Sequence, residues 1–264
     1  MAKPLVAFLT DFGTRDHYAS VMKGVVLCIN PDVQIIDLSH DLPPHNIAYA
    51  AQELAATYKY FPAGTIFVVV VDPGVGSSRR GIAADAGDWR FVAPDNGVLT
   101  AVFHEAPPKK VVELSERRYA RPTVSRTFEG RDRFAPAAAW LSKGVHLSAF
   151  GRALTEYCML DLPAPHLEGT VLTGTVVRID RFGNVVTNLD RRSCERLTDG
   201  LGVLRLTVGP HQISRIVSTY SEIAAGEVAA LFGSTDQLEC AAPNASAAEQ
   251  LGLSIGDPAE LRRV

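Results

Sequence analysis

Four short polar segments carry the side chains of this sequence that could do chemistry, at positions 10–11, 72–80, 94–97 and 129–132. Each segment contains a carboxylate, and two also contain arginines, a combination that can bind a polar ligand and perturb a pKa. Because the carboxyl ends of parallel strands in an open α/β sheet meet at one crevice, we expect the four segments to converge there. Each also has a structural interpretation: Asp11 could cap the following helix, residues 72–74 are a common turn sequence, and Arg131 and Asp132 could pair at the start of a helix.

Several well-known functional motifs are missing from the sequence. No GxGxxG follows the first apolar run, which disfavours ordinary dinucleotide binding, and the absence of GxxxxGK[ST] excludes a P-loop. The sequence also lacks GxSxG, which argues against an α/β-hydrolase. The four cysteines (Cys28, Cys158, Cys194 and Cys240) form no CxxC pair, and the seven histidines show no HxxxH or HxH spacing. We therefore predict neither a disulfide framework nor a metal site.

Charge and the N-terminal sequence narrow the choice of partners and compartment. A net charge of −3, from 26 basic and 29 acidic residues, gives no electrostatic reason to expect nucleic acid or an anionic membrane. The first apolar run ends at Thr10, too early for a signal peptide or a membrane span. With four thiols expected to be reduced, we predict a cytoplasmic protein.

The elements that must position the polar segments follow two patterns. Up to about residue 160, strands alternate with helices, which predicts a mostly parallel, Rossmann-like α/β sheet. Residues 65–71 are apolar and β-branched, as in a central strand covered on both faces, and Asn46 is a suitable cap for a helix over 46–60. Beyond a Pro-rich stretch the sequence shows short strands with turns, typical of a small all-β barrel. These strands are predicted at 169–179, 184–188, 202–208, 212–217, 228–232 and 237–240.

The predicted organisation is therefore an N-terminal α/β domain over 1–161, a linker over 162–168 and a C-terminal β-barrel domain over 169–264. Five motifs occur in order across the two domains: LTDFG at 9–13, DPGVGSSRR at 72–80, APDNG at 93–97, TFEGRDRFAP at 127–136 and DRFGNVVTN at 180–188. Together they resemble the S-adenosyl-L-methionine (SAM) hydroxide adenosyltransferase family, which is related to the fluorinase and the chlorinase. The resemblance runs nearly from end to end.

The resemblance implies hydrolysis of SAM to adenosine and L-methionine, with SAM as substrate and no cofactor. It implies a homotrimer in which the substrate lies between the N-terminal domain of one subunit and the C-terminal domain of its neighbour. It also suggests substrate-binding residues: Asp11 for the ribose hydroxyls, Asp16 and Asp180 for the methionine end, Ser234 for the methionine carboxylate, Phe182 and Tyr220 for the faces of adenine, and Asn184 for its edge. Phe128 is a further predicted substrate-binding residue.

The catalytic set that the resemblance implies departs from the family at one position. Asp72 and Arg79 match the family's Asp and Arg, but Glu129 stands where a His normally begins a His-Gly-Arg-Asp motif. We hypothesise that Asp72 and Glu129 both face the attacking water, with Arg79 between or beside them. In the alternative, Glu129 pairs only with Arg79 or Arg131 and catalysis is slow.

Other functions remain open at this point. A non-catalytic SAM-binding sensor or regulator would bind SAM without consuming it. A SAM-dependent halogenase is disfavoured, because halogenases carry Tyr at the position of Asp72 and Ser at that of Gly130, and a fixed negative charge repels a halide. An unrelated Rossmann-like nucleotide enzyme is disfavoured by the missing glycine motif.

Overall fold

The computed structural model describes residues 3–198 and 204–263. The chain divides into two compact units, Met1–Leu162 and Pro163–Val264. Within the described residues, no helix combines the length and the apolar character needed to cross a membrane.

The N-terminal unit is built on a mixed sheet with the order β2-β1-β3-β5-β4-β6. The first four strands in that order are parallel, and β4 runs antiparallel to both of its neighbours. The strands are β1 (Leu5–Thr10), β2 (Gln34–Ser39), β3 (Ile66–Val70), β4 (Gly81–Ala86), β5 (Trp89–Pro94) and β6 (Pro108–Glu113), and the helices are α1 (Tyr18–Ile29), α2 (Ile47–Thr57), α3 (Thr100–Glu105) and α4 (Ala135–Ser142).

Two apolar clusters cover the two faces of this sheet. Residues of β3 alternate between them: Val68 belongs to the cluster with α1 and α4, and Phe67 to the cluster with α2 and α3. All five residues of β3 are buried, as expected for a central strand covered on both sides. Asn46 caps α2 by accepting a hydrogen bond from the backbone N–H of Tyr49. The predicted α/β class is confirmed.

The C-terminal unit is an antiparallel sheet that curls into a nearly closed barrel, in the order β11-β10-β14-β8-β9-β13-β12, with β7 beside β8. Its core contains Leu172, Leu189, Leu238 and Leu261. Its strands are β7 (His166–Glu168), β8 (Val171–Ile179), β9 (Val185–Asp190), β10 (Leu204–Val208), β11 (His211–Ile213), β12 (Ala229–Phe232), β13 (Gln237–Ala241) and β14 (Pro258–Arg263), and two short helices, α5 (Arg191–Thr198) and α6 (Ala247–Leu251), accompany them.

Several details of the C-terminal unit differ from the sequence prediction, which lacked β14 and the helices α5 and α6. The strand predicted over 212–217 is wrong beyond Ile213, because the chain leaves the edge of β10 and makes a bridge from Ile216 to Ala230 on β12. Residues 166–168, predicted as linker, form β7 and pair with β8. Positions 202 and 203 of the strand predicted over 202–208 lie outside the described residues.

Candidate active site

Parallel strand pairing places two of the predicted carboxylates next to each other. Thr10 at the end of β1 pairs with Val70 at the end of β3. Asp11 follows directly after Thr10, and Asp72 follows two residues after Val70. The carboxyl ends of adjacent parallel strands thus bring both side chains to one edge of the sheet, as the strand pattern predicts.

These carboxylates open into a cavity of about 600 Å³. Glu129 lines it too, so three of the predicted acidic side chains share one space. Aromatic side chains supply much of the remaining wall: Phe12, Tyr18 and Phe128 meet in mutual ring contacts with centroids 5.3–5.9 Å apart. Aromatic rings and carboxylates that line one cavity suit a ligand with a ring and several polar groups.

Arg79 joins the two carboxylates that the sequence places at the catalytic centre. Its Nε donates to Asp72 Oδ1 at 2.9 Å, and its Nη2 donates a second, very short bond to Asp72 Oδ2. On its other side, Arg79 Nη1 lies 2.6 Å from Glu129 Oε2. The side chains of Asp72, Arg79 and Glu129 are only 5%, 9% and 16% exposed, so water screens the cluster weakly.

Glu129 has a second cationic neighbour. Arg133 Nε lies 3.2 Å from Glu129 Oε1, at the i,i+4 spacing that brings side chains together on one helical face. Arg131 instead pairs with Asp132, through bonds of 2.7 and 2.8 Å. The alternative in which Glu129 pairs with Arg131 is therefore wrong. Arg133 was not predicted as a site residue, although its i,i+4 spacing from Glu129 could have indicated the ion pair.

The electrostatics of the cluster favour proton transfer at Asp72. Burial raises the pKa of Asp72, and the negative charge of Glu129 raises it further, while the ion pair with Arg79 opposes the change. The balance is a raised pKa, which brings the carboxylate closer to the working range of a general base. Arg79 also lies over the ring of Phe134, at 5.4 Å from the centroid, which fixes the guanidinium from below.

The segment at 94–97 does not line the cavity, so the expectation that all four polar segments converge there is wrong. Asn96 donates from Nδ2 to the backbone oxygen of Val71 at 2.9 Å, and thereby supports the residue before Asp72. Asp95 accepts bonds from Arg80 and from the backbone N–H of Cys158. Both side chains bond to groups that are distant in sequence, and these bonds satisfy their polar atoms away from the cavity.

Asp132 is also structural. Its side chain is fully buried and accepts a 2.8 Å bond from the backbone N–H of Ser125, as well as the bonds from Arg131. Burial alone would raise the pKa of Asp132, but the bonds from Arg131 and Ser125 outweigh it, and the pKa is lowered. Asp132 therefore fixes the loop that carries Ser125 and Thr127 along the cavity.

Asp11 is not a helix cap. Helix α1 starts at Tyr18 with His17 at the cap position, whereas Asp11 Oδ2 accepts a 2.8 Å bond from the backbone N–H of His45. One oxygen of Asp11 is thus held by the protein, and the side chain lines the cavity. Asp16 is exposed in the segment before α1 and is not among the residues that line this cavity.

The C-terminal unit has a cavity of its own, of about 880 Å³. All five predicted substrate-binding residues of this unit line it: Asp180, Phe182, Asn184, Tyr220 and Ser234. The ring of Phe182 is exposed and that of Tyr220 is half exposed. Among the described residues that line the cavity there is no lysine or arginine, and two open aromatic rings in such a cavity suit an uncharged heterocycle.

A tight turn presents the polar residues of this cavity. Asp180 Oδ1 accepts from the backbone N–H groups of Phe182 and Asn184 at 2.8 and 2.9 Å, and its Oδ2 accepts from Asn184 Nδ2 at 2.9 Å. Asp180 therefore orients Asn184 and shapes the turn. The side-chain oxygen of Asn184 and its second amide hydrogen remain suited to reading a base edge.

Two family models match the chain: the SAM hydroxide adenosyltransferase N-terminal domain over residues 6–151 and the corresponding C-terminal domain over residues 174–260. The chain is 37% identical to the (R)-S-adenosyl-L-methionine hydrolase of Thermus thermophilus, over 97% of this chain and 98% of that protein. The hydrolase of the same name from Salinispora tropica is also 37% identical, with 96% of each chain covered. The fluorinase of an Actinoplanes species is more distant, at 30% identity over 73% of this chain and 74% of its own length.

Two solved structures are similar to this chain over nearly its whole length. An uncharacterized conserved protein from Thermotoga maritima superposes with a TM-score of 0.92 at 37% identity, covering 98% of this chain and all of that one. A conserved hypothetical protein from Thermus thermophilus superposes with a TM-score of 0.80 at 35% identity, covering both chains completely. Since both family models and full-length relatives match, the chain belongs to the SAM hydroxide adenosyltransferase family.

Proposed function

We propose that this protein hydrolyses SAM to adenosine and L-methionine. The observation that carries the proposal is the Asp72–Arg79–Glu129 cluster, two carboxylates joined by one guanidinium, in the cavity that Asp11 also lines. The names of the full-length relatives support the same reaction.

The reaction suits a site made of carboxylates and an arginine. The oxygen of one water forms a bond to ribose C5′, and the C5′–S bond breaks with its electron pair moving to the sulfonium sulfur. Methionine leaves as a neutral thioether, so positive charge disappears from the sulfur and no developing anion needs stabilisation. We accordingly propose SAM as the substrate and no cofactor. The protein must align the water with the C5′–S bond, strip its hydration and accept one proton.

We assign the proton transfer to the two carboxylates beside Arg79. Asp72, whose pKa is raised by burial, accepts the proton of the attacking water, and Glu129 orients that water or shares the proton. Arg79 keeps at least one carboxylate of the pair ionised. Asp11 accepts hydrogen bonds from the ribose hydroxyls, and Phe128 forms an apolar wall against the substrate.

The C-terminal cavity holds the remaining parts of the substrate in this proposal. Phe182 and Tyr220 flank adenine, Asn184 reads its edge, and Ser234 binds the methionine carboxylate. Asp16 and Asp180 contribute negative charge near the methionine ammonium. We further propose a cytoplasmic homotrimer in which one subunit supplies the N-terminal cavity and its neighbour the C-terminal one. Apart from Asp16, the assigned substrate-binding residues line two separate cavities, each formed within one unit, and this division supports a shared site.

Product identification tests the proposed function. The protein is incubated with SAM, and the mixture is separated by chromatography. Adenosine and methionine in equal amounts support hydrolysis. Asp72→Asn should lower the rate of adenosine formation by about 10²- to 10⁴-fold, the range for loss of a general base. Unchanged SAM with measurable binding would instead identify a SAM-binding regulator. A halide-dependent 5′-halo-5′-deoxyadenosine would identify a halogenase, which the negative charge of Asp72 disfavours.

A further inference from the structure

A buried carboxylate borders the C-terminal cavity, and the reaction proposed above does not use it. Glu239 lies in the middle of β13, paired with Val186 of β9 on one side and Leu231 of β12 on the other, and is only 4% exposed. Leu238 and Cys240 point into the barrel core, so the alternation of a strand turns Glu239 to the opposite face. A carboxylate buried in this way is costly unless a partner satisfies it, so its partners indicate its role.

One partner of Glu239 is a cavity residue, and the positive charge of Arg178 also acts on its carboxylate. The hydroxyl of Tyr220 donates to Glu239 Oε1 at 2.5 Å. Tyr220 begins a short 3₁₀ turn, Tyr220–Glu222, in the connection between β11 and β12. Tyr220 is 49% exposed and lines the cavity, while its hydroxyl is bonded to Glu239 on β13. Glu239 thus anchors the polar end of an aromatic side chain whose face is open to a ligand.

The other oxygen of Glu239 lies under the turn that carries another cavity residue. A Cβ placed on Gly233 would overlap the Glu239 carboxylate, so any larger residue there would displace the carboxylate from its observed position. Ser234, which lines the cavity, follows directly. Burial raises the pKa of Glu239, and the negative charge of Asp180 adds to this, while the bond from Tyr220 and the positive charge of Arg178 oppose it. Burial and the bond to Glu239 together raise the pKa of Tyr220 to about 12, so its hydroxyl keeps the proton it donates.

We propose that Glu239 is a positioning residue that holds the Tyr220 ring in place against the nucleoside. The inference rests on the proposed function, since adenine is the occupant assigned to this cavity. An aromatic ring on a connecting segment loses rotational freedom when a ligand orders it, and that loss weakens binding. The Tyr220 hydroxyl is already bonded to β13, a strand that is paired on both sides. Most of the rotational freedom of the ring is therefore lost before the ligand binds, and binding does not have to offset it.

The test compares three variants of the full-length protein with the parent. Tyr220→Phe removes the donor, Glu239→Leu removes the acceptor, and Glu239→Gln keeps an acceptor of the same shape. Loss of the bond should raise the Kd of adenosine, measured by calorimetry, and the KM for SAM by about 3- to 10-fold. The kcat should stay within about twofold, because neither side chain touches the reacting atoms. Glu239→Gln should remain within about threefold of the parent in Kd, and Tyr220→Phe combined with Glu239→Leu should be no worse than either change alone.

The chain provides a matched control in its N-terminal unit. Tyr58 donates to Glu105 Oε2 at 3.1 Å, and the pKa of Tyr58 is likewise raised to about 12, but neither residue lines the cavities described above. Tyr58→Phe and Glu105→Leu should leave the Kd of adenosine unchanged. If they weaken adenosine binding as much as the Tyr220 and Glu239 variants, or if those variants bind as the parent does, the positioning role is wrong. A parent protein that neither binds adenosine nor consumes SAM would overturn the proposed function together with this inference, whereas a parent that consumes SAM but binds no adenosine would overturn this inference alone.

Discussion

Replacing Glu129 with Gln removes the second of the two proposed proton-accepting carboxylates while keeping the size of the side chain. In the structure the two oxygens of Glu129 lie 2.6 Å from Arg79 Nη1 and 3.2 Å from Arg133 Nε. Gln retains one oxygen for these cations and loses the negative charge. The change therefore separates the chemical role of Glu129 from its packing.

The expected rate of adenosine formation by Glu129→Gln depends on the carboxylate that remains, Asp72. A general base contributes about 10²- to 10⁴-fold. Asp72 still lines the same cavity and still pairs with Arg79, so one base remains available. The rate should therefore fall by about 10²-fold, which corresponds to about 2.7 kcal/mol in the activation free energy. The loss of stability should be smaller, about 1–2 kcal/mol, because Arg79 keeps its two bonds to Asp72. That corresponds to a fall in Tm of about 2–8 °C.

The assay is adenosine formation in a single turnover at saturating SAM, with the Kd of SAM measured alongside. Glu113→Gln is the matched control, since Glu113 pairs with Arg152 Nε at 2.7 Å and does not line the cavity that holds Asp72. This control should leave the rate unchanged. If Glu129→Gln forms adenosine at the parent rate, Glu129 serves only as an ion-pair partner and the assignment of a second base is refuted.

Three further predictions follow from the same geometry. Because the pKa of Asp72 is raised and its ionised form is the base, kcat/KM should rise with pH through that pKa, and a pH–rate profile of Asp72→Asn should lack this rise. Asp132→Ala removes a fully buried carboxylate and leaves the backbone N–H of Ser125 without its acceptor, whereas the partly exposed Arg131 can be solvated, so denaturant unfolding should show a loss of about 1–3 kcal/mol, and a loss below about 0.5 kcal/mol would contradict the supporting role. If the active site is shared between subunits, co-expressing Asp72→Asn with Asn184→Ala subunits should restore about a quarter of the parent sites, whereas separately purified variants stay inactive. A mixture as inactive as its components would argue for a site within one subunit.

The sequence alone was sufficient to predict the two-domain architecture and the position of Asp11 and Asp72 at one edge of the sheet. Alternating strands and helices, followed by short strands and turns, are local patterns, and each is recorded in consecutive residues. Asp11 and Asp72 could be expected together because parallel strands end at the same edge of a sheet, a rule that needs no knowledge of side-chain packing. The five motifs added the family, since their order along the chain is itself a sequence property.

Tertiary structure alone decided which charges meet. Glu129 pairs with Arg79 and Arg133 and leaves Arg131 to Asp132, although all three arginines lie close in the sequence to an acidic residue. Tyr220 and Glu239 are 19 residues apart, and only the curl of the barrel brings the hydroxyl to the carboxylate. Such partnerships depend on side-chain direction and burial across separate elements. These are properties of the packed chain, which no local pattern of residues records.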